Sequence, residues 1–303
     1  MMTSQILVPL DGSALAEQAL PCAVTLARGL PARLILFRAV SIPLDLEEIV
    51  GDVFRNTEAQ IEQLKAEANN YLGQVASRLQ ELRLDTRMVV EQGPAAKAIV
   101  DYAEQMAVQK IVMSTHGYSG FSRWRHGSVA ERVLQAASVP VFLVRAQEKT
   151  PGDVQGALAC QRILVPLDGS PVAEQVLPVA ASVAQALEAE MVLLRVPIAH
   201  VSGSFTGEWY MPLEGTFETA KQIAEAYLDH VAERLRAGEV QVTTATRTGG
   251  VANAIIEYAE ANQIDLIAMC THGRTGLARW SLGSVADRVL RAGHIPLLLV
   301  RAR

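Results

Sequence analysis

Two short segments of the chain carry residue types suited to holding a phosphorylated sugar. The first is Asp11-Gly12-Ser13, which ends the apolar run Ile6-Leu7-Val8-Pro9-Leu10. The second is Met113-Ser114-Thr115-His116-Gly117, followed after nine residues by Gly127-Ser128. Phosphate binding needs several backbone N–H groups converging on one anion, and glycine permits the close approach and positive φ that this requires. Gly127-Ser128 stands where a helix begins, so free N–H groups and the helix dipole favour an anion there. Ser128 adds a hydroxyl donor or caps the helix. Asp11 suits ribose hydroxyls, or a divalent cation beside the phosphates. The same aspartate also suits a cap of the following helix, and both readings stand at this point.

Everything in this constellation occurs twice. Ile6 to Ser13 recurs unchanged as Ile163 to Ser170, Thr115-His116-Gly117 as Thr271-His272-Gly273, and Gly127-Ser128-Val129-Ala130 as Gly283-Ser284-Val285-Ala286. The offset is 157 at the start of each half and 156 near its end, so one net residue is lost between. A period of this length is a duplicated domain. We read residues 1–146 as the first domain, 147–160 as a linker and 161–303 as the second domain.

The elements that must position these residues alternate. In the first half, strands fall at 5–10, 33–40, 86–91, 110–114 and 141–145. Helical patterns fall at 14–28, 57–83, 95–106 and 128–137, and Ile61, Leu64, Ala68, Leu72, Val75 and Leu79 stripe the longest of them. Alternating strands and helices mean an α/β fold with a parallel sheet and right-handed crossovers. Wholly apolar strands mean that helices cover both faces. In such an open sheet, ligands sit beyond the carboxyl ends of the strands where the strand order reverses. The ends of the first and fourth strands should meet there in each half.

With these residues in place, the chain resembles the universal stress protein family in its tandem, ATP-binding form. That branch carries Gly-x-x-Gly, nine residues, then Gly-Ser or Gly-Thr; Gly117 with Gly127-Ser128 and Gly273 with Gly283-Ser284 match it. The family's first glycine falls at Ser114 and at Cys270, which is the one departure. The resemblance implies two open, Rossmann-like, five-stranded parallel-sheet domains paired through their fifth strands, with ATP as ligand. It places Asp11 and Asp168 near the ribose or a Mg2+ or Mn2+ ion, and Val40 and Val196 near the adenine. The candidate contacts are then Pro9, Leu10, Asp11, Val40, Met113, Gly117, Gly127, Ser128 and Val129 in the first half. In the second they are Pro166, Leu167, Asp168, Val196, Met269, Gly273, Gly283, Ser284 and Val285.

Other residues invite sharper readings than they support. His116 and His272 have no partner carboxylate in sequence and read as structural or as supporting residues behind the site. Arg123 and Arg279 read as surface arginines stacked on Trp124 and Trp280, with phosphate contact as the second reading. Cys270 reads as a small buried residue at a strand end, with a redox gate as the second reading.

The whole chain narrows the function class. Half of its 303 residues are hydrophobic, 19% are charged and the net charge is −5. That balance lacks the basic footprint of nucleic-acid binding. No apolar run reaches membrane-spanning length, and three unpatterned cysteines suit a reducing, cytoplasmic setting. There is no Gly-x-x-x-x-Gly-Lys-Ser/Thr loop, no His-x-x-His and no Ser-Gly-Gly-x-Asp-Ser signature. The expected function is therefore an ATP-dependent regulatory switch in stress response, with at most slow hydrolysis. A nucleotide-handling enzyme, an ATP hydrolase or nucleotidyl transferase, is the alternative. The segments 139–144 and 295–300 read as apolar edge strands, hazardous if bare. Pairing of these strands within the chain, a further homodimer and a regulatory protein partner are the expected associations.

Overall fold

A computed structural model describes residues 4–41, 53–115, 128–145, 160–197, 214–273 and 282–302. The chain divides into two compact units, Met1–Ala159 and Cys160–Arg303.

The first unit has strands β1 (Ser4–Pro9), β2 (Ala32–Val40), β3 (Thr86–Gln92), β4 (Lys110–Ser114) and β5 (Val141–Val144). They lie in the order β3-β2-β1-β4-β5, and neighbours run parallel. The connecting helices are α1 (Ala14–Glu17), α2 (Leu20–Gly29), α3 (Val53–Glu81), α4 (Ala95–Gln105) and α5 (Ser128–Ala136). The second unit repeats the plan. Its strands are β6 (Arg162–Pro166), β7 (Glu190–Arg195), β8 (Val242–Thr246), β9 (Leu266–Cys270) and β10 (Leu297–Val300), in the order β8-β7-β6-β9-β10. Its helices are α6 (Pro171–Glu174), α7 (Leu177–Leu187), α8 (Glu214–Arg236), α9 (Val251–Ala261) and α10 (Ser284–Ala292).

The core is built from the runs that the pattern marks. Ile6, Leu7, Val8, Leu34, Ile35, Leu36, Phe37, Ile111 and Val112 are fully buried in the first sheet. Ala68, Leu72, Val75 and Leu79 are buried on the stripe of α3, while Ile61 and Leu64 are half-buried. The first crossover runs from β1 to β2 and the third returns from β3 past β1 to β4. Right-handed connections then set α1–α3 on one face and α4 and α5 on the other. The order reverses at β1 and β4 in the first unit, and at β6 and β9 in the second.

One element departs from the sequence reading. The helical pattern over 14–28 is two helices, α1 and α2, broken at Gln18-Ala19. Pro21 causes the break. It cannot donate to a continuing helix, but it fits the first turn of a new one, where that N–H would have no acceptor. Pro178 does the same between α6 and α7.

Gly73 lies inside α3, and nothing stands within 4 Å of where its Cβ would be. Gly73→Ala should raise stability by about 0.5–1 kcal/mol, because glycine loses more backbone entropy in a helix. Urea denaturation checks this, and a lower midpoint would mean that the helix surface there is occupied.

Candidate functional site

Each unit brings its aspartate turn to the switch point by the same local bonds. Leu10 N–H donates to Phe37 O at 2.8 Å and Leu167 N–H to Leu194 O at 2.8 Å, carrying sheet order to the edge of the turn. The next three residues form a side-chain-closed turn. Asp11 Oδ1 accepts from Ser13 N–H at 2.9 Å, and Asp168 Oδ1 from Ser170 N–H at 2.8 Å. Gly12 and Gly169 take φ of +90° and +82°, which only glycine adopts without strain. Ser13 and Ser170, not the aspartates, cap the helices, each accepting from the N–H three residues on at 3.1 Å. The capping alternative for Asp11 and Asp168 therefore belongs to the serines.

The second unit brings Gly273 onto this turn and Gly283 onto the end of β9. A Cβ on Gly273 would stand 2.5 Å from Asp168 Oδ2, so Asp168 and Gly273 are in direct apposition. A Cβ on Gly283 would stand 3.0 Å from Thr271 O. Gly283 N–H donates to that carbonyl at 2.8 Å, which sets the residue before α10 against the end of β9. Gly273 has no positive φ and Gly283 has φ −58°, so close approach rather than backbone freedom requires glycine at both. The Gly283 N–H is thereby committed within the chain. The donors without an intrahelical acceptor at the start of α10 are those of Ser284, Val285 and Ala286. Ser284 is exposed and Val285 half-buried.

In the first unit Ser128 opens α5 and is followed by Val129, while Gly117 and Gly127 lie outside the described residues. His116, Arg123, Trp124, Arg279 and Trp280 lie outside them as well. Pro9 and Pro166 end their strands half-buried. Leu10, Leu167, Met113 and Met269 are buried, so what they offer the crevice is main chain. Val40 is buried, and its carbonyl accepts from Gly93 N–H at 2.9 Å. Val196 is not its counterpart. Pro9 pairs with Phe37 and Pro166 with Leu194, which aligns Val196 with Ala39 and Pro197 with Val40. The single-residue loss comes after this strand, before the equivalent residues Tyr71 and Tyr227.

Neither substituted glycine is strained. Ser114 and Cys270 are the last residues of β4 and β9, both buried, and neither has a positive φ. Cys270 Sγ lies 3.6 Å from Ala173 O as a donor. Burial, with the charge of Asp168 adding to it, pushes this thiol up to about 11. A thiol held neutral at pH 7 is a poor nucleophile, so the redox-gate reading has no support in its surroundings. Below pH 9 the group is neutral folded and unfolded. Above that the unfolded chain releases the proton first, so stability falls as pH rises through the folded value. The urea midpoint should drop between pH 9 and 11, and Cys270→Ala should make the drop shallower. An unchanged slope in the variant would contradict this assignment.

His272 has Nδ1 3.1 Å from Thr271 Oγ1, and its buried Nε2 has no hydrogen-bond partner among the described residues. No hydrogen bond or ion pair joins it to a carboxylate among the described residues. Among the described residues no group of three or more His, Cys, Asp or Glu forms a metal cage, and no helix is long and apolar enough to cross a membrane. A cation at Asp11 or Asp168 would need ligand oxygens to complete its shell.

Sequence reasoning missed a second duplicated group beside the turn. The Arg38 guanidinium lies 3.2–3.4 Å from where a Cβ on Gly12 would be, and that of Arg195 lies 2.8–3.2 Å from the same point on Gly169. Arg38 stacks on the Tyr71 ring at 5.2 Å and Arg195 on Tyr227 at 4.6 Å. Tyr71 Oη donates to Glu17 Oε1 at 3.0 Å and Tyr227 Oη to Glu174 Oε1 at 2.9 Å. Arg78 and Arg234 hold the other oxygen of each glutamate at 2.7 and 2.6 Å. Burial first, then Glu17 or Glu174, raises both phenols. The recurrence of these four residue types at offsets of 157 and 156 was the available signal.

Comparison with known proteins places the two domains in a family. The universal stress protein family model matches residues 2–145 and again 160–301. A universal stress protein of Methanocaldococcus jannaschii is 35% identical over 145 residues, covering 46% of this chain and 82% of the relative. One from Synechocystis is 23% identical over 318 aligned positions, covering 98% of this chain and 99% of that one. The crystal structure of a universal stress protein from Archaeoglobus fulgidus superposes with a TM-score of 0.71 at 19% identity, covering 99% of both chains, and shares the fold. The chain belongs to the universal stress protein family and carries its domain twice.

Proposed function

We propose that each unit binds ATP at the carboxyl end of its sheet and that occupancy regulates the protein in stress response. The observation that carries this reading is the apposition of Asp168 with Gly273, beside the start of α10. A side chain at Gly273 would press on Asp168, and one at Gly283 on the backbone at Thr271 and His272. The chemistry of the donors fits a nucleoside phosphate. Asp11 and Asp168 would accept from ribose hydroxyls, or share a Mg2+ or Mn2+ ion with the phosphates. The first-turn N–H groups at Ser128-Val129 and Ser284-Val285 would face the phosphates. Backbone at Pro9, Leu10 and Met113, and at Pro166, Leu167 and Met269, would wall the crevice. Val40 would lie against the adenine; in the second unit Pro197 stands where Val40 does, with Val196 beside it. Gly117 and Gly127 would repeat the parts of Gly273 and Gly283.

The regulatory reading also proposes a homodimer and a protein partner that distinguishes the occupied from the empty state. The purified chain should release adenine nucleotide when denatured, resolved by ion exchange, or take up added ATP with Mg2+ in calorimetry. Absence of both overturns the proposal. Multiple-turnover release of a nucleotide product would instead make the chain an enzyme.

A further inference from the structure

We infer that Arg38 and Arg195 are positioning residues of the two nucleotide sites, each clamping the Asp-Gly turn so that its aspartate is held ready for the ribose. This rests on the nucleotide reading above and adds residues that its motif does not contain.

Three observations carry it. Each guanidinium lies against the turn backbone so closely that a side chain on Gly12 or Gly169 would press into it. The guanidinium is itself held from behind. Its ring partner, Tyr71 or Tyr227, is anchored through the phenol to Glu17 or Glu174, and that glutamate is anchored by Arg78 or Arg234. The arrangement also spans three elements in each unit: the strand that ends beside the turn, the short helix after it and the long helix packed over both. A surface arginine kept for solubility needs no such chain of supports. The group is complete in both units although the halves diverge elsewhere, as at Val40 and Pro197.

The clamp acts at a point where geometry matters. Asp Oδ1 accepts from the serine N–H, so the turn also sets where the second oxygen, Oδ2, lies. In the second unit that oxygen abuts Gly273. The turn is closed by its own Asp–Ser bond, and the guanidinium supplies a flat, charged face against its glycine.

The test pairs protein variants with ribose variants of the nucleotide. Arg38→Gln with Arg195→Gln should weaken ATP binding by about tenfold. The same protein should bind 2′,3′-dideoxy-ATP within about twofold of wild type, because that ligand lacks the hydroxyls Asp11 and Asp168 would hold. Arg→Lys at both positions, which keeps a cation over the ring, should recover part of the loss. Tyr71→Leu with Tyr227→Leu should reproduce the Gln pattern by removing the support. Equal losses for both nucleotides, or no loss for ATP, would overturn the clamp while leaving ATP binding in place. No ATP binding by wild type would overturn the nucleotide reading itself, and the clamp with it.

Discussion

Gly273→Asp is expected to abolish nucleotide binding in the second unit. The new Cβ would stand 2.5 Å from Asp168 Oδ2, and the new carboxylate would face both Asp168 and the proposed phosphates. Relief requires Asp168 to swing away from Ser170 N–H, which opens the turn. Like charges at such separation cost several kcal/mol in a half-buried site, and about 1.4 kcal/mol is a tenfold loss of affinity. A loss of at least about a hundredfold is expected, with the first unit unaffected. Calorimetry should therefore lose one of two binding events. Gly273→Ala, with the clash but not the charge, should lose less. Full binding in the aspartate variant would mean that the loop glycine does not border the ligand.

Gly169→Ala should be the more damaging of the two turn substitutions. Its φ of +82° is strained for any residue with a Cβ, by about 1–2 kcal/mol. That Cβ would also stand 2.8 Å from Arg195 Nη2, forcing the guanidinium off Tyr227 and forfeiting about another 0.5–1 kcal/mol. The expected loss is about 1.5–3 kcal/mol, read from urea denaturation. Gly12→Ala has the same kind of φ, +90°, but its nearest Arg38 atom is 3.2 Å away. It should cost about 1–2 kcal/mol. Gly73→Ala, with no neighbour and helical backbone, should move the other way. Three glycines thus test whether strain, contact and entropy have been assigned to the right positions.

The fold was legible because its signals are local and repeated. Ile6 to Leu10 and Ile163 to Leu167 are apolar at every position, which in a strand means burial on both faces, and they sit in the middle of each sheet. The parallel sheet followed from the alternation of strands and helices. The break between α1 and α2 needed more weight on Pro21, whose effect outranks the apolar spacing around it. At the site, Asp168 and Gly273 could be brought together from sequence because both lie at strand ends that the topology places side by side. Three things were not legible. Gly283 N–H donates to Thr271 O, a contact between residues 12 positions apart that no local pattern marks. Val196 looked equivalent to Val40 because the residue types agree, whereas strand pairing sets Pro197 there. The Arg38–Tyr71–Glu17 group joins residues 54 positions apart, and only the duplication hints that they belong together.

The central claim is that the duplicated turn and loop make two nucleotide sites. Titration calorimetry of the full chain with ATP and Mg2+ tests it most directly, run on wild type and on Gly273→Asp. Saturation at about two nucleotides per chain, falling to about one in the variant, is the expected result. No saturable binding by wild type, or the same stoichiometry in both proteins, would contradict it.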